Sequence, residues 1–260
     1  MLSDHRDIPK AKRVVVKVGS SSITGANESN LDLLVSAIAS STQNGQEVIL
    51  VTSGAIASGL PLLNFETKPT DLATKQALAS VGQSKLMGRY ETSLKRFDII
   101  AGQVLLTALD LEQEETSQNA KNVIDKLLEL KVIPIVNEND TVATAEIAFG
   151  DNDRLAALVA VLAQADVLVL LSDVDALYDR PPVEQGAQKI EWVEPFDSLD
   201  TIKIGGSASS VGTGGAETKI EAAKYAREFG ITVLLTSIDN VAQILSGQRV
   251  GTWFQAKGEN

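Results

Sequence analysis

At 260 residues with 44% hydrophobic content, the chain is long enough to bury one sizeable core, which fits a single large α/β domain better than two small ones. It carries 34 acidic against 23 basic side chains, a net charge of -11 and a pI near 4.7, a balance that argues against nucleic acid and against an anionic membrane surface as partners. Cysteine is absent, which removes disulfides, thiolate metal sites and a cysteine nucleophile and suits a reducing cytoplasm.

Residues 1–12 read as a polar leader with no apolar run of the kind a signal peptide needs. The sole histidine, His5, lies in it, so histidine catalysis is unpromising. From residue 13 to 260 the chain reads as one domain, in which short β-branched runs alternate with helical patterns. RVVVKV (13–18) precedes a helix over 29–43, EVILV (47–51) one over 71–96, and IIAGQVLL (99–106) one over 116–130. VIPIV (132–136) precedes a helix over 151–164, DVLVLL (166–171) one over 216–229, and ITVLL (231–235) one over 239–246. Asp71, Ser117 and Asp239 are candidate N-caps, and Gly45 and Gly230 stand where helices should stop. Near-continuous apolar strands predict burial on both faces, and the alternation predicts a mostly parallel sheet covered by helices on each side. Leu155 to Leu171 is the nearest approach to a membrane span, but Gln164 and Asp166 interrupt a run already shorter than the ~18 apolar residues required.

In open parallel sheets ligands bind beyond the carboxyl ends of the strands, so the residues just after each run are the informative ones. They are Lys17 with GSSSIT, then TSGA (52–55), NENDT (137–141) and SDVDALY (172–178). Polar, phosphate-friendly and carboxylate-bearing groups therefore fall on one edge.

The stretch GDNDRLAALVAVLAQA (150–165) crowds two carboxylates, an amide and an arginine into the first turn of an apolar helix. Asp151 could simply cap that turn, where the helix dipole favours acid. The glycine-rich loop GTGGAETK (212–219) leads into another helix. Glycines let backbone N–H groups approach an anion, the helix N-terminus adds positive potential, and Lys219 supplies a full charge. Its plain alternative is a surface loop with a solvated lysine. The chain holds no GxxxxGK[ST] and no complete dinucleotide fingerprint, and the His5-Arg6-Asp7 triplet lacks the rest of a protein-kinase catalytic loop. Lys17 interrupts VVVKV, where its neighbours look buried; it either snorkels at the sheet edge or works with Lys219 on a transferring phosphoryl group. In the second case Asp151 and Asp153 would hold the lysines and help ligate Mg²⁺, which commonly takes one or two carboxylates plus phosphates and water.

KVGSSSIT, VTSGAIASG, VNENDTVATAEI, FGDNDRLAA, LLSDVDALY and GTGGAETK, in this order and spacing, resemble the glutamate 5-kinases of the amino-acid kinase family over Arg13 to Gly251. That resemblance implies an αβα sandwich that uses ATP with Mg²⁺ to phosphorylate the side-chain carboxylate of L-glutamate, as the first step of proline synthesis. Lys17 and Lys219 resemble the lysines that stabilise the phosphoryl group, and Asp153 the aspartate that organises them. Ser53, Asp140 and Asn152 match glutamate-binding positions. Ser172, Asp173 and the run Thr213, Gly214, Gly215, Ala216, Glu217, Thr218 and Lys219 match nucleotide contacts, with Lys17 shared between the two roles. Also implied are proline as an inhibitor, a γ-glutamyl phosphate reductase as pathway partner, a homo-oligomer (dimer or tetramer) and a cytoplasmic location. Two departures stand out: the chain ends shortly after VGTWFQ, without the C-terminal PUA domain many members carry, and Ala176 and Ala216 replace an expected glycine and methionine.

The residues fit this reading on their own chemistry. Glutamate brings an ammonium, which suits Asp140, and an α-carboxylate, which suits donors around TSGA, while Asn152 can both donate and accept. Sister kinases acting on acetylglutamate, aspartate or a nucleoside monophosphate would share Lys17 and the glycine loop but not NENDTVATAEI and GDND. A catalytically dead amino-acid sensor would not need Lys17, Asp153 and Lys219, and a dinucleotide oxidoreductase would need the missing fingerprint.

Overall fold

The computed structural model describes residues 2–143, 152–197 and 215–258. Among the described residues the chain runs β1 (Arg13–Val18), α1 (Ser20–Ile23), α2 (Asn30–Gln43), β2 (Glu47–Val51), α3 (Ala55–Gly59), α4 (Leu72–Leu94), β3 (Ile100–Leu106), α5 (Ala108–Glu112), α6 (Glu114–Glu129) and β4 (Val132–Glu138). It continues with α7 (Asn152–Leu162), β5 (Val167–Ser172), β6 (Leu177–Tyr178), β7 (Lys189–Ile190), β8 (Trp192–Val193), α8 (Ala216–Glu228), β9 (Thr232–Ser237), α9 (Val241–Leu245) and β10 (Thr252–Phe254). Eight strands form one sheet in the order β3-β4-β2-β1-β5-β9-β10-β8, parallel except where β10 runs against β9. The mostly parallel sandwich expected from the sequence is the observed architecture.

Strand alternation assigns the two faces. Val14, Val16 and Val18 of β1 pack with α2, α4 and α9, whereas Val15 packs with α6, α7 and α8. Period-two geometry then puts Lys17 on the face of Val15, at the carboxyl end of the strand. β1 is followed by a crossover to β2 on one side, and its other neighbour β5 by a crossover to β9 on the opposite side. The crevice between the ends of β1 and β5 is therefore the topological switch point, where open α/β sheets bind ligands.

Most boundaries fall where the pattern placed them. Asp71 caps α4, its Oδ1 accepting from the Thr74 N–H at 2.9 Å, and Gly45 and Gly230 take φ of +95° and +75° just past α2 and α8, a conformation glycine adopts without strain. Ser117 is not a cap. A Thr107–Asp110 capping box starts α5 so close to α6 that the chain turns from one helix into the next at Gln113. Asp239 lies inside a 3₁₀ turn, Ile238–Asn240, and Asn240 takes the cap of α9. The leader also departs from expectation: it forms a 3₁₀ helix, His5–Lys10, that buries His5 and Ile8, with the His5 ring 4.8 Å from that of Trp253.

Between β2 and β3, α3 crosses α4 at backbone distance. A methyl group added at Gly82 would fall 1.8 Å from the Ala55 carbonyl oxygen, and one at Gly59 would fall 2.2 Å from that of Leu78. These glycines let α4 lie directly against the turn that carries Ser53 and Gly54, and Gly54 itself takes φ +106° there.

Candidate active site

Lys17, Asp153 and Lys219 meet where the fold argument places them. Asp153, in the first turn of α7, is fully buried; Lys17 from β1 and Lys219 from the first turn of α8 are each more than nine-tenths buried. The Lys17 ammonium contacts Asp153 Oδ1, and Lys219 Nζ lies 2.9 Å from Oδ2. Each carboxylate oxygen thus holds one ammonium, which fixes the two cations side by side. Removing one partner of such a cluster leaves an uncompensated buried charge, a cost of about 3–5 kcal/mol. The Thr218 hydroxyl lies 3.0 Å from Asp153 Oδ2 and 2.9 Å from the Gly215 carbonyl oxygen, so this residue, matched by sequence to the nucleotide, also braces the carboxylate and the entry of α8.

Next to this charged cluster lies a set of neutral amides. Asn152 Nδ2 donates to the Thr52 carbonyl oxygen at 2.6 Å and to Asn137 Oδ1 at 2.7 Å. Both of its hydrogens are committed within the protein, so of the donor and acceptor the amide carries, Oδ1 is the polar atom left to offer. The Thr52 hydroxyl pairs with the Tyr90 hydroxyl at 2.7 Å. Tyr90 is fully buried, and burial pushes its phenol far above the ordinary range despite the Thr52 contact.

Asp140 sits in the turn after β4, which is closed by Asn139 through the Val142 and Ala143 N–H groups. Burial pushes its carboxyl up to about 6, with the positive field of Lys68 pulling the other way. Ser53 stands half-buried at the start of α3. At the end of β5 Ser172 is buried and donates to Asp173 Oδ1 at 3.1 Å. Gly215 takes the N-cap position of α8, an extended residue with φ -82°, followed by Ala216 and the exposed Glu217. Asp151, Thr213 and Gly214 lie outside the described residues. Among the described residues no three His, Cys, Asp or Glu side chains gather as a metal-binding group, and no helix is long and apolar enough to cross a membrane.

Sequence reasoning put Thr52 and Asn137 on the ligand edge without giving either a role, and it missed Gln83 and Tyr90 altogether. Asn137 was inside a quoted motif, but its partner Gln83 is 54 positions away on a helix, and nothing in local spacing signals such a contact.

The amino acid kinase family model matches residues 12–237. The chain belongs to the amino acid kinase family, among its glutamate 5-kinases. It is 58% identical over 251 residues to a glutamate 5-kinase of Clavibacter michiganensis subsp. michiganensis, covering 96% of this chain and 97% of that one. A glutamate 5-kinase of Leifsonia xyli subsp. xyli is 55% identical, with 97% and 94% covered. One from Salinispora arenicola is 52% identical over 95% of this chain and 68% of its own. Among solved structures, carbamate kinase from Giardia lamblia bound to AMP-PNP superimposes with a TM-score of 0.67 at 17% identity, covering 96% of this chain and all of that one. At that identity the likeness is one of fold, and it is the fold of an amino-acid kinase that this chain adopts.

Proposed function

We infer that this kinase transfers the γ-phosphoryl group of ATP to the side-chain carboxylate of L-glutamate, giving ADP and γ-glutamyl phosphate. The observation that carries the reading is the pair of buried lysines held on one buried aspartate, next to the hydrogen-bonded amides of Asn152 and Asn137. Two anions must approach each other in this reaction. Phosphoryl transfer asks the protein mainly for positioning and for positive charge at the developing phosphoryl oxygens. Lys17 and Lys219, fixed by Asp153, supply that charge already oriented.

A carboxylate oxygen of glutamate attacks the γ-phosphorus while the bond to the β,γ-bridging oxygen breaks, and the electron pair leaves with ADP. The nucleophile is an anion at neutral pH, so no side chain has to remove a proton. Asp140 pairs with the substrate ammonium, Asn152 Oδ1 accepts from it, and Ser53 donates to the α-carboxylate. Ser172, Asp173 and the residues opening α8 from Thr213 to Lys219 hold the nucleotide. Mg²⁺ fits as a companion of the ATP phosphates, whose charge it neutralises when bound. Both oxygens of Asp153 already face ammonium groups, which favours its role as organiser of the lysines over that of a metal ligand.

We extend the reading to the first step of proline synthesis, carried out in the cytoplasm by one domain acting as a homo-oligomer, with a reductase consuming the labile acyl phosphate. Proline keeps the α-carboxylate and a secondary ammonium but offers nothing to phosphorylate, so it would compete for Asp140 in an overlapping site. The test of the main reading is ADP release that requires both L-glutamate and Mg²⁺, with the product trapped by hydroxylamine as the hydroxamate. Absence of hydroxamate at saturating ATP and glutamate would overturn it.

A further inference from the structure

Four carboxamides form a line from the site to the edge of the sheet. Asn152 Nδ2 donates to Asn137 Oδ1 at 2.7 Å, Asn137 Nδ2 to Gln83 Oε1 at 2.8 Å, and Gln83 Nε2 to Gln103 Oε1 at 2.9 Å. The line spans α7, β4, α4 and β3, and every amide in it points the same way. Two backbone groups fix that direction. The Thr52 carbonyl can only accept, so it takes Nδ2 of Asn152 at 2.6 Å; the Glu138 N–H can only donate, so it takes Oδ1 of Asn137 at 2.9 Å. Asn137 is left with Nδ2 to present to α4, and residue 83 has to answer it with an acceptor.

We propose that Gln83 is a positioning residue for recognition of the substrate ammonium, acting through Asn137 to keep Asn152 turned with Oδ1 toward the ligand. The inference rests on the reading that Asn152 meets glutamate. A side chain at 83 that cannot accept leaves the buried Nδ2 of Asn137 without its partner. One that only donates drives Asn137 to turn over, away from the Glu138 N–H, and sets Nδ2 of Asn137 against Nδ2 of Asn152. Asn152 then has to rotate, and its acceptor leaves the ammonium. Gln83 touches no reacting atom, and the lysine cluster makes no use of it, so the effect belongs to amino-acid binding.

Three substitutions of similar length separate polarity from packing. Gln83→Glu keeps an acceptor toward Asn137 and lets Gln103 turn to donate; Gln83→Met fills the volume without polarity; Gln83→Lys supplies only donors. Steady-state hydroxamate assays give kcat and KM, and glutarate, which has both carboxylates of glutamate but no ammonium, serves as the competing probe. The Met and Lys variants should raise glutamate KM by about tenfold, the usual effect of stranding one buried hydrogen-bonding group. Their kcat, ATP KM and glutarate inhibition constant should stay within about twofold, and the Glu variant should restore glutamate KM to near wild type.

A parallel loss of glutamate and glutarate binding would overturn the proposal, as would an unchanged glutamate KM in Met and Lys. Should the Met variant fail to fold, the contrast between Glu and Lys decides: equal impairment of the two overturns it. Failure of the underlying reading looks different, since the wild-type enzyme itself would then form no hydroxamate with glutamate.

Discussion

In the proposed reading, the phosphoryl side of the site is built from full charges, and the amino-acid side from neutral amides and one half-buried carboxylate. On the first side three ionised groups are taken almost wholly out of water and balanced against one another. On the second, Asn152, Asn137 and Gln83 present dipoles whose direction is set by backbone groups. The difference follows from what each side has to do. Stabilising a transferring phosphoryl group needs strong positive charge that does not reorganise during the reaction, and burial makes that charge effective. Choosing glutamate over other small anions needs direction more than strength, because a mismatched donor or acceptor in a partly desolvated pocket discriminates by leaving groups unpaired. Disturbing the first side should therefore show in kcat and in stability, and disturbing the second in KM.

The largest effect belongs to Asp153. Asp153→Asn keeps the shape but leaves two buried ammonium groups against a neutral amide, so it should lose about 3–5 kcal/mol of stability in denaturant titration and most of its kcat. A variant with lowered stability and intact kcat would reduce Asp153 to a helix-start residue and erase the contrast. Next come Lys17→Ala and Lys219→Ala, which should each lower kcat by about 10² to 10³, the range for losing one preorganised donor to a charged transition state. Glutamate KM should move far less. A near-normal kcat in either variant would mean that its lysine serves only the buried charge balance.

The charged side was legible in the sequence and the amide side only in part. Lys17 stood out because an ammonium in the middle of VVVKV breaks a β-branched run, and Lys219 because it follows a glycine-rich loop at a helix start. Such breaks of local pattern mark function. Asp153 came with them, since an acidic first turn on an otherwise apolar helix asks for a reason. Strands β1 and β2 fell on their predicted bounds because their apolar runs are continuous. β6, β7, β8 and β10, of two or three residues each, are too short to show a period. Gln83 was invisible for another reason: on a long helix a glutamine is an ordinary surface residue, and only the close crossing of α3 and α4 brings it to Asn137. Likewise the leader reads as polar by composition, yet its few apolar side chains are what the sheet buries.

Asp140 sharpens the comparison from the amino-acid side. With its carboxyl pushed up to about 6 by burial, it is ionised at neutral pH and increasingly protonated below about 6, where it no longer pairs with an ammonium. For the free enzyme kcat/KM for glutamate should fall as pH drops through about 6, while kcat at saturating glutamate changes less. Lys68 draws the carboxyl downward, so Lys68→Met should move the acid limb to higher pH. Asp140→Ala should raise glutamate KM by about 10- to 100-fold, the effect of losing a charge-assisted hydrogen bond, and should raise the inhibition constant of proline with it. Independent, simultaneous binding of proline and glutamate in calorimetry would refute the overlap.

The smallest effect is expected far from both sides, at His5, and it serves as a control on the others. His5 is 2% exposed, its Nε2 has no hydrogen-bond partner among the described residues, and burial lowers its pKa although a backbone hydrogen bond with Val250 and the charges of Asp4 and Glu191 oppose the shift and Arg249 adds to it. In the unfolded chain the imidazole takes a proton near its ordinary value of about 6.5, whereas the folded protein takes it only at lower pH. Between those two points the unfolded state binds more protons, so stability rises with pH there. The His5 contribution is thus fully present above about pH 6.5 and is lost as pH falls toward the folded value. Because about 1 kcal/mol moves Tm by only about 2–4 °C in a domain of this size, the fall in Tm due to this residue should be a few degrees at most. His5→Phe, which keeps the ring against Trp253 and cannot be protonated, should flatten that part of the Tm profile and leave the acid limb of kcat/KM for glutamate where Asp140 puts it. If both profiles moved together in His5→Phe, the acid limb would report unfolding at the leader, and the assignment of that limb to Asp140 would fall.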